Sequence, residues 1–121
     1  MHFESTRTIQ SEACAGVAFT IARMTFGRRV ELMRRVRQLG AQLEFANAGQ
    51  GISDRVEASL VAASIDEAYL RWGLVGLQGL EIDGRVADAD ALISSGPEPL
   101  CREVVSAIKR ECALTEEERK N

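Results

Sequence analysis

The chain has 121 residues, a net charge of −3 and a pI near 5.2, with 45% hydrophobic and 27% charged side chains. That length suits one domain, able to bury about two-thirds of the surface its unfolded form exposes, and the composition excludes wholesale disorder. No run reaches the roughly 18 consecutive apolar residues of a membrane span, and the first ten residues lack the basic-then-apolar order of a signal peptide, so no membrane partner and a cytoplasmic location are expected.

The charge is divided along the chain. Residues 1–40 hold seven Arg against three Glu, and residues 41–121 hold eight basic against fifteen acidic side chains. Two solvated faces would account for this, but the division also allows head-to-tail self-association, a homo-oligomer, or an oppositely charged partner.

Residues 6–13 and 17–25 read as the arms of a β-hairpin turned at Ala15-Gly16. In the second arm, VAFTIARMT, Val17, Phe19, Ile21 and Arg23 alternate with Ala18, Thr20, Ala22 and Met24. A period of two with β-branched and aromatic content predicts a strand. The first arm is more polar and suits a sheet edge. Residues 26–48 form the first long helix, with Leu32, Met33, Val36, Leu39 and Leu43 on one face. Thr25 is placed to cap it. The breaker-rich residues 47–51 end it.

Residues 53–77 carry two apolar stripes at helical spacing. One is Val56, Leu60, Ala63, Leu70, Leu74 and Leu77; the other is Val61, Ile65, Ala68 and Trp72. A helix apolar nearly all round is normally buried, so this segment is expected to be the central helix, capped by Ser53 and ending anywhere from Trp72 to Gln78. Glu67 and Arg71 are spaced to pair at i, i+4. Residues 73–84 read as a tight chain reversal, with a short hairpin over 80–87 turned at Asp83-Gly84. Asp88 caps a short helix over 89–95. Gly96 closes it and Pro97 opens an amphipathic helix ending near Leu114, whose inward face carries Leu100, Cys101, Val104, Val105, Ile108 and Cys112. A capping box at Thr115 to Glu118 starts a short, frayed tail. The expected fold is α+β and mostly α-helical: a hairpin (1–25), a compact helical body (26–114) around a buried central helix, and a tail (115–121), in a single domain.

No catalytic set is present. His2 is the only histidine, and Cys14, Cys101 and Cys112 form no CxxC, so neither a metal nor another cofactor is expected. Cys101 and Cys112 lie about 16 Å apart along one helix, too far to bridge. The glycines of GLVGLQGLEIDG fit no phosphate-binding spacing. The basic cluster Arg28, Arg29, Arg34, Arg35 and Arg37 has no interleaved aromatic residues. With an acidic pI it points to a protein-facing or solvated helix rather than to nucleic acid. Partner-binding candidates are these five arginines, with Val61, Ile65 and Trp72 of the second stripe if no other element covers them.

One likeness adds to this. The stretch Gly79-Leu80-Glu81-Ile82-Asp83-Gly84, then Leu92, Gly96-Pro97, Leu100, Glu103, Ile108, Glu111 and the closing TEEERKN, together with MTFGRRVEL near the start, resembles small tail assembly chaperone proteins encoded in the tail-gene region of bacteriophages and prophages. The resemblance implies a non-enzymatic cytoplasmic helper in the host bacterium. It would bind the long helical tape measure protein during virion morphogenesis and leave before the tail matures. The alternative is a structural tail or head–tail component retained in the virion. No functional residue is carried over from the resemblance.

Overall fold

The structure, a computed structural model, describes the backbone of residues 1–120 and the side chains of residues 1–113. The fold is α+β and mostly helical. In chain order the elements are β1 (Thr6–Gln10), β2 (Ala18–Ala22), α1 (Phe26–Ala48), α2 (Ile52–Gly73), β3 (Leu74–Gln78), β4 (Glu81–Ile82), β5 (Arg85–Val86), α3 (Ala89–Ser95) and α4 (Glu98–Lys120). Residues divide into two compact units: Met1–Thr25 with Tyr69–Asn121, and Phe26–Ala68. The N-terminal hairpin thus groups with Tyr69–Asn121, and Phe26–Ala68 forms a unit by itself.

The first unit is built on an antiparallel sheet of order β1-β2-β3. β1 and β2 pair from Thr6 with Ala22 to Gln10 with Ala18. The predicted hairpin is therefore present, and Cys14 accepts from the Val17 amide in its turn (3.2 Å). β2 lies in the middle, which is why Phe19 and Ile21 on one face and Ala18 and Ala22 on the other are all buried. β3 replaces the expected chain reversal. Its register against β2 slips between Thr20 and Ile21, leaving Val75 as the extra, exposed residue of a bulge. Gly79, at φ +80°, lies against the Gly16 carbonyl, where a Cβ has no room.

α4 packs on β2. Its face of Leu100, Val104 and Ile108 is fully buried, as are Leu92 of α3 and Phe19 and Ile21 of β2. Each such side chain contributes about 1.5–3 kcal/mol relative to exposure. The local signals that frame α3 and α4 hold. Asp83 (φ 53°) and Gly84 (φ 79°) make the two-residue turn between β4 and β5. Asp88 accepts from the Ala91 amide at 2.8 Å, and the Gly96 amide donates to Leu92 O at 2.9 Å. The helix does not stop at Leu114. The side chains of the expected capping box at Thr115 and Glu118 lie outside the described residues.

In the second unit, α1 spans the residues predicted for it. Leu32 and Ala46 are buried and Val36, Leu39 and Leu43 half-buried, whereas Met33, expected on the inward face, is exposed. α2 starts at Ile52, one residue before the predicted cap. Gly51 accepts from the Arg55 amide (3.2 Å), and the Asp54 carboxylate reaches back to the Gly51 amide (3.2 Å). The expectation of a buried central helix is corrected. Val56, Leu60 and Ala63 of the first stripe are exposed, Leu70 is buried, and Leu74 and Leu77 belong to β3. The helical element that carries the core of the first unit is α4.

Gly73 ends α2 against α4: a Cβ there would sit 2.8–2.9 Å from three side-chain atoms of Ile108. Ile108 is branched and fully buried, so it cannot yield. Gly73→Ala should cost about 1–3 kcal/mol by overpacking. Gly40→Ala, in α1 with open space around it, should instead gain roughly 0.5–1 kcal/mol from helix propensity. Thermal melting of the two variants checks the contrast; a Gly73→Ala protein as stable as wild type would refute the packing.

Candidate protein-binding surfaces

The five arginines lie on α1 as expected, but not as one uniform ridge. Arg28 and Arg35 bracket Glu31, at 4.0 and 3.1 Å. Such i, i+3 and i, i+4 pairs contribute only about 0.2–0.5 kcal/mol each. Arg29 is half-buried, while Arg34 and Arg37 are exposed. Of the three apolar candidates, Val61 and Trp72 are buried and Ile65 is half-buried. Trp72 and Val61 are thus withdrawn as surface residues. Trp72 sits beside Gly73 and Leu74 at the helix-to-strand junction, within the core of the first unit. Arg71 reaches Asp90 of α3 at 2.6 Å.

The exposed apolar surface lies instead on the other stripe of α2 and on α1. Ile52, Val56 and Leu60 are 80, 55 and 60% exposed. They recur every four residues and so share one helical face. Phe26 and Met33 of α1, seven residues apart, are exposed too, as is Phe45. Phe45 borders a shallow groove between α1 and α2 whose other walls include Ala41, Gln42 and Glu57. Sequence reasoning picked out both stripes of α2 but favoured the wrong one for the surface.

A second feature, which sequence reasoning missed, lies in the first unit. A cleft of about 440 Å³ opens between β1 and α4. At one end Glu103 of α4 ties down the hairpin loop: its carboxylate accepts from the Ser11 hydroxyl (2.5 Å) and from the amides of Glu12 (2.7 Å) and Ala13 (3.4 Å). At the other end the buried Glu111 carboxylate meets Arg23 of the hairpin (3.3 Å) and Arg7 of β1 (3.8 Å). Acids on or beside the apolar stripe of an amphipathic helix were the available signal. Their partners lie about ninety residues away in the sequence, so pairing was not legible.

Reactive chemistry is not prominent. Cys14, Cys101 and Cys112 are thiols outside any disulfide, each half-buried. Burial, and then the nearby Glu98 charge, push the Cys101 thiol up and keep it protonated. Among the described residues no group of three His, Cys, Asp or Glu side chains could hold a metal ion, and no helix is long and apolar enough to cross a membrane.

The chain was compared with protein-family models, curated proteins and solved structures. Nothing matches in any of the three.

The Glu103 tie has a pH signature. Partial removal from water raises its pKa, but the Ser11 hydroxyl, the two amides and the Arg110 charge together lower it by more. A lowered carboxyl adds stability above its unfolded pKa of about 4.3 and loses it as pH falls through the folded value. Glu103→Gln should therefore cost roughly 1 kcal/mol at neutral pH, modest because the site is open to solvent. The two melting temperatures should converge as the solution is taken below about pH 4. A gap that persists unchanged into acid would show that charge is not what Glu103 supplies.

Proposed function

We propose that this protein is a non-enzymatic adaptor that holds an amphipathic helical partner on the second unit. The observation that carries the reading is the run of exposed apolar side chains on α2, Ile52, Val56 and Leu60, together with Phe26, Met33 and Phe45 of α1. Scattered surface apolar residues need no explanation, but a helical stripe of them on a pair of helices is a docking surface. Anchors repeating at i and i+4 suit a helix laid along them. Arg34 and Arg37, exposed on α1 as Phe26 and Met33 are, add positive charge to that helix and favour an acidic rim on the partner.

The partner class fits a tail assembly chaperone. A tape measure protein is long and helical, and its apolar stripe needs cover until assembly. That assignment rests on the resemblance carried by residues 79–121 and by MTFGRRVEL at 24–32, and the binding surface rests on the geometry. The site of action would be the cytoplasm of the bacterial host.

Co-expression with the tape measure protein tests the proposal. Wild type should keep it soluble and copurify with it. Val56→Glu combined with Leu60→Glu should reduce copurification by about tenfold or more, since two anchors are each worth upwards of 1 kcal/mol. Both positions are exposed, so the melting curve should barely change. Undiminished copurification would remove the surface from consideration. Mass spectrometry of purified particles addresses the role itself: stoichiometric presence would replace the chaperone with a retained tail component.

A further inference from the structure

We propose that the cleft between β1 and α4 binds an extended acidic segment of a partner protein by strand addition. The segment sets an apolar side chain over Ile9 and Phe19 and, two residues along, a carboxylate beside Arg7 and Arg110.

The first observation is an unused sheet edge. The Arg23 amide donates to Ser5 O (2.9 Å) and the Ser11 amide to Val17 O (2.8 Å). In an antiparallel ladder bonded pairs alternate, so Arg7 and Ile9 also bond to β2. The N–H and C=O groups of Thr6, Thr8 and Gln10 then point away from it. β1 is the outer strand of the sheet, and among the described residues no strand pairs along that side. Edge strands are normally blunted by charge, proline or a bulge. β1 reads TRTIQ, with one charge and no proline, and its register is regular throughout.

The second observation is what the edge faces. Arg7 and Ile9 lie opposite Ile21 and Phe19, on the face that α4 covers. The cleft floor is formed by Ile9, Phe19 and Ala107, an apolar seat for one side chain. Same-face residues on a strand are two apart, so the next inward side chain of an added strand comes to Arg7.

The third observation is charge. Glu103 and Glu111 are already engaged, by the loop amides and by Arg7 with Arg23. Arg110 also lines the cleft, where its charge acts on the Glu103 carboxylate without a hydrogen bond or ion pair to it among the described residues. Glu12 lines the Ser11 end and repels an acid there. The carboxylate is thereby directed to the Arg7–Arg110 end. A second copy of this chain is a poorer occupant. Antiparallel self-pairing about Thr8 would set Glu4 opposite Glu12 at both ends, and Ile9 rather than an acid opposite Arg7.

The site uses no residue of the second unit, so its test is independent of the helix-docking reading. The probe is a capped seven-residue peptide, Ser-Thr-Val-Thr-Glu-Thr-Ser, titrated into the ¹⁵N-labelled full chain, beside the same peptide with Lys for Glu. The Glu peptide should shift the Thr6, Thr8 and Gln10 amides and bind about tenfold or more tightly than the Lys peptide, as a paired charge against a repelled one. Arg110→Glu should invert that order. Thr8→Pro, which deletes an outward N–H and none donated to β2, should abolish binding while the melting curve stays cooperative. If Thr8→Pro fails to fold, the Arg110→Glu inversion decides alone. Unshifted edge amides at millimolar peptide, or equal affinity for the two peptides, would overturn the proposal. So would a wild-type dimer that Thr8→Pro converts to monomer, since the edge would then belong to a second copy.

Discussion

The first unit depends on one constraint: β2 must be covered on both sides and paired on both edges. Its five residues carry almost no polar side chain, only Thr20, which shares a hydrogen bond with Thr8 at 2.8 Å. Phe19 and Ile21 present bulk to α4, while Ala18 and Ala22 present little on the other face. The chain meets the pairing requirement locally on one edge, with β1, and non-locally on the other, where β3 returns after more than fifty residues. Closing so long a loop is entropically costly, though the cost grows only slowly with length. Burial of Phe19, Ile21, Leu100, Val104 and Ile108 provides the compensation.

That non-local return explains which parts of the fold were legible. Asp83-Gly84, Asp88, Gly96 and the boundaries of α1 are set by neighbours a few residues away, and each was read correctly. β3 was not. Leu70, Leu74 and Leu77 fit a helical period as well as Leu74 and Gly76 fit a strand, and a short apolar run does not distinguish the two. Gly73 marked the junction, but its reason, the approach of Ile108, exists only in three dimensions. Continuing the apolar stripe to Leu77 joins its Leu70 end, which is buried, to its Val56 and Leu60 end, which is exposed. The result was one continuous core helix that the structure lacks.

The binding surfaces follow the same division. The arginines of α1 and the stripes of α2 lie on single helices, so their periodicity was visible, although which stripe meets solvent was not. The cleft beside β1 was invisible. Glu103 and Glu111 become meaningful only when α4 runs antiparallel to β1, bringing one acid to Ser11 and the other to Arg7. An acid placed on a core stripe is costly unless it finds a partner, so such residues are better read as long-range contacts than as noise.

The two edges of the sheet are treated differently, and the difference bears on function. β3 carries a bulge that interrupts its ladder, and α3 packs against it. β1 has neither protection. A sheet that bends and shields one edge has the means to blunt the other, for a lysine or proline at Thr6 would leave the backbone bonds to β2 intact, and one at Thr8 would remove only its side-chain bond to Thr20. The chain instead carries an unbroken run of outward donors and acceptors there. It sets an apolar floor alongside and holds the loop at the end of the strand with Glu103. Left open, such an edge invites aggregation. Its retention beside a shaped cleft is physically coherent when the edge is a place where another strand docks.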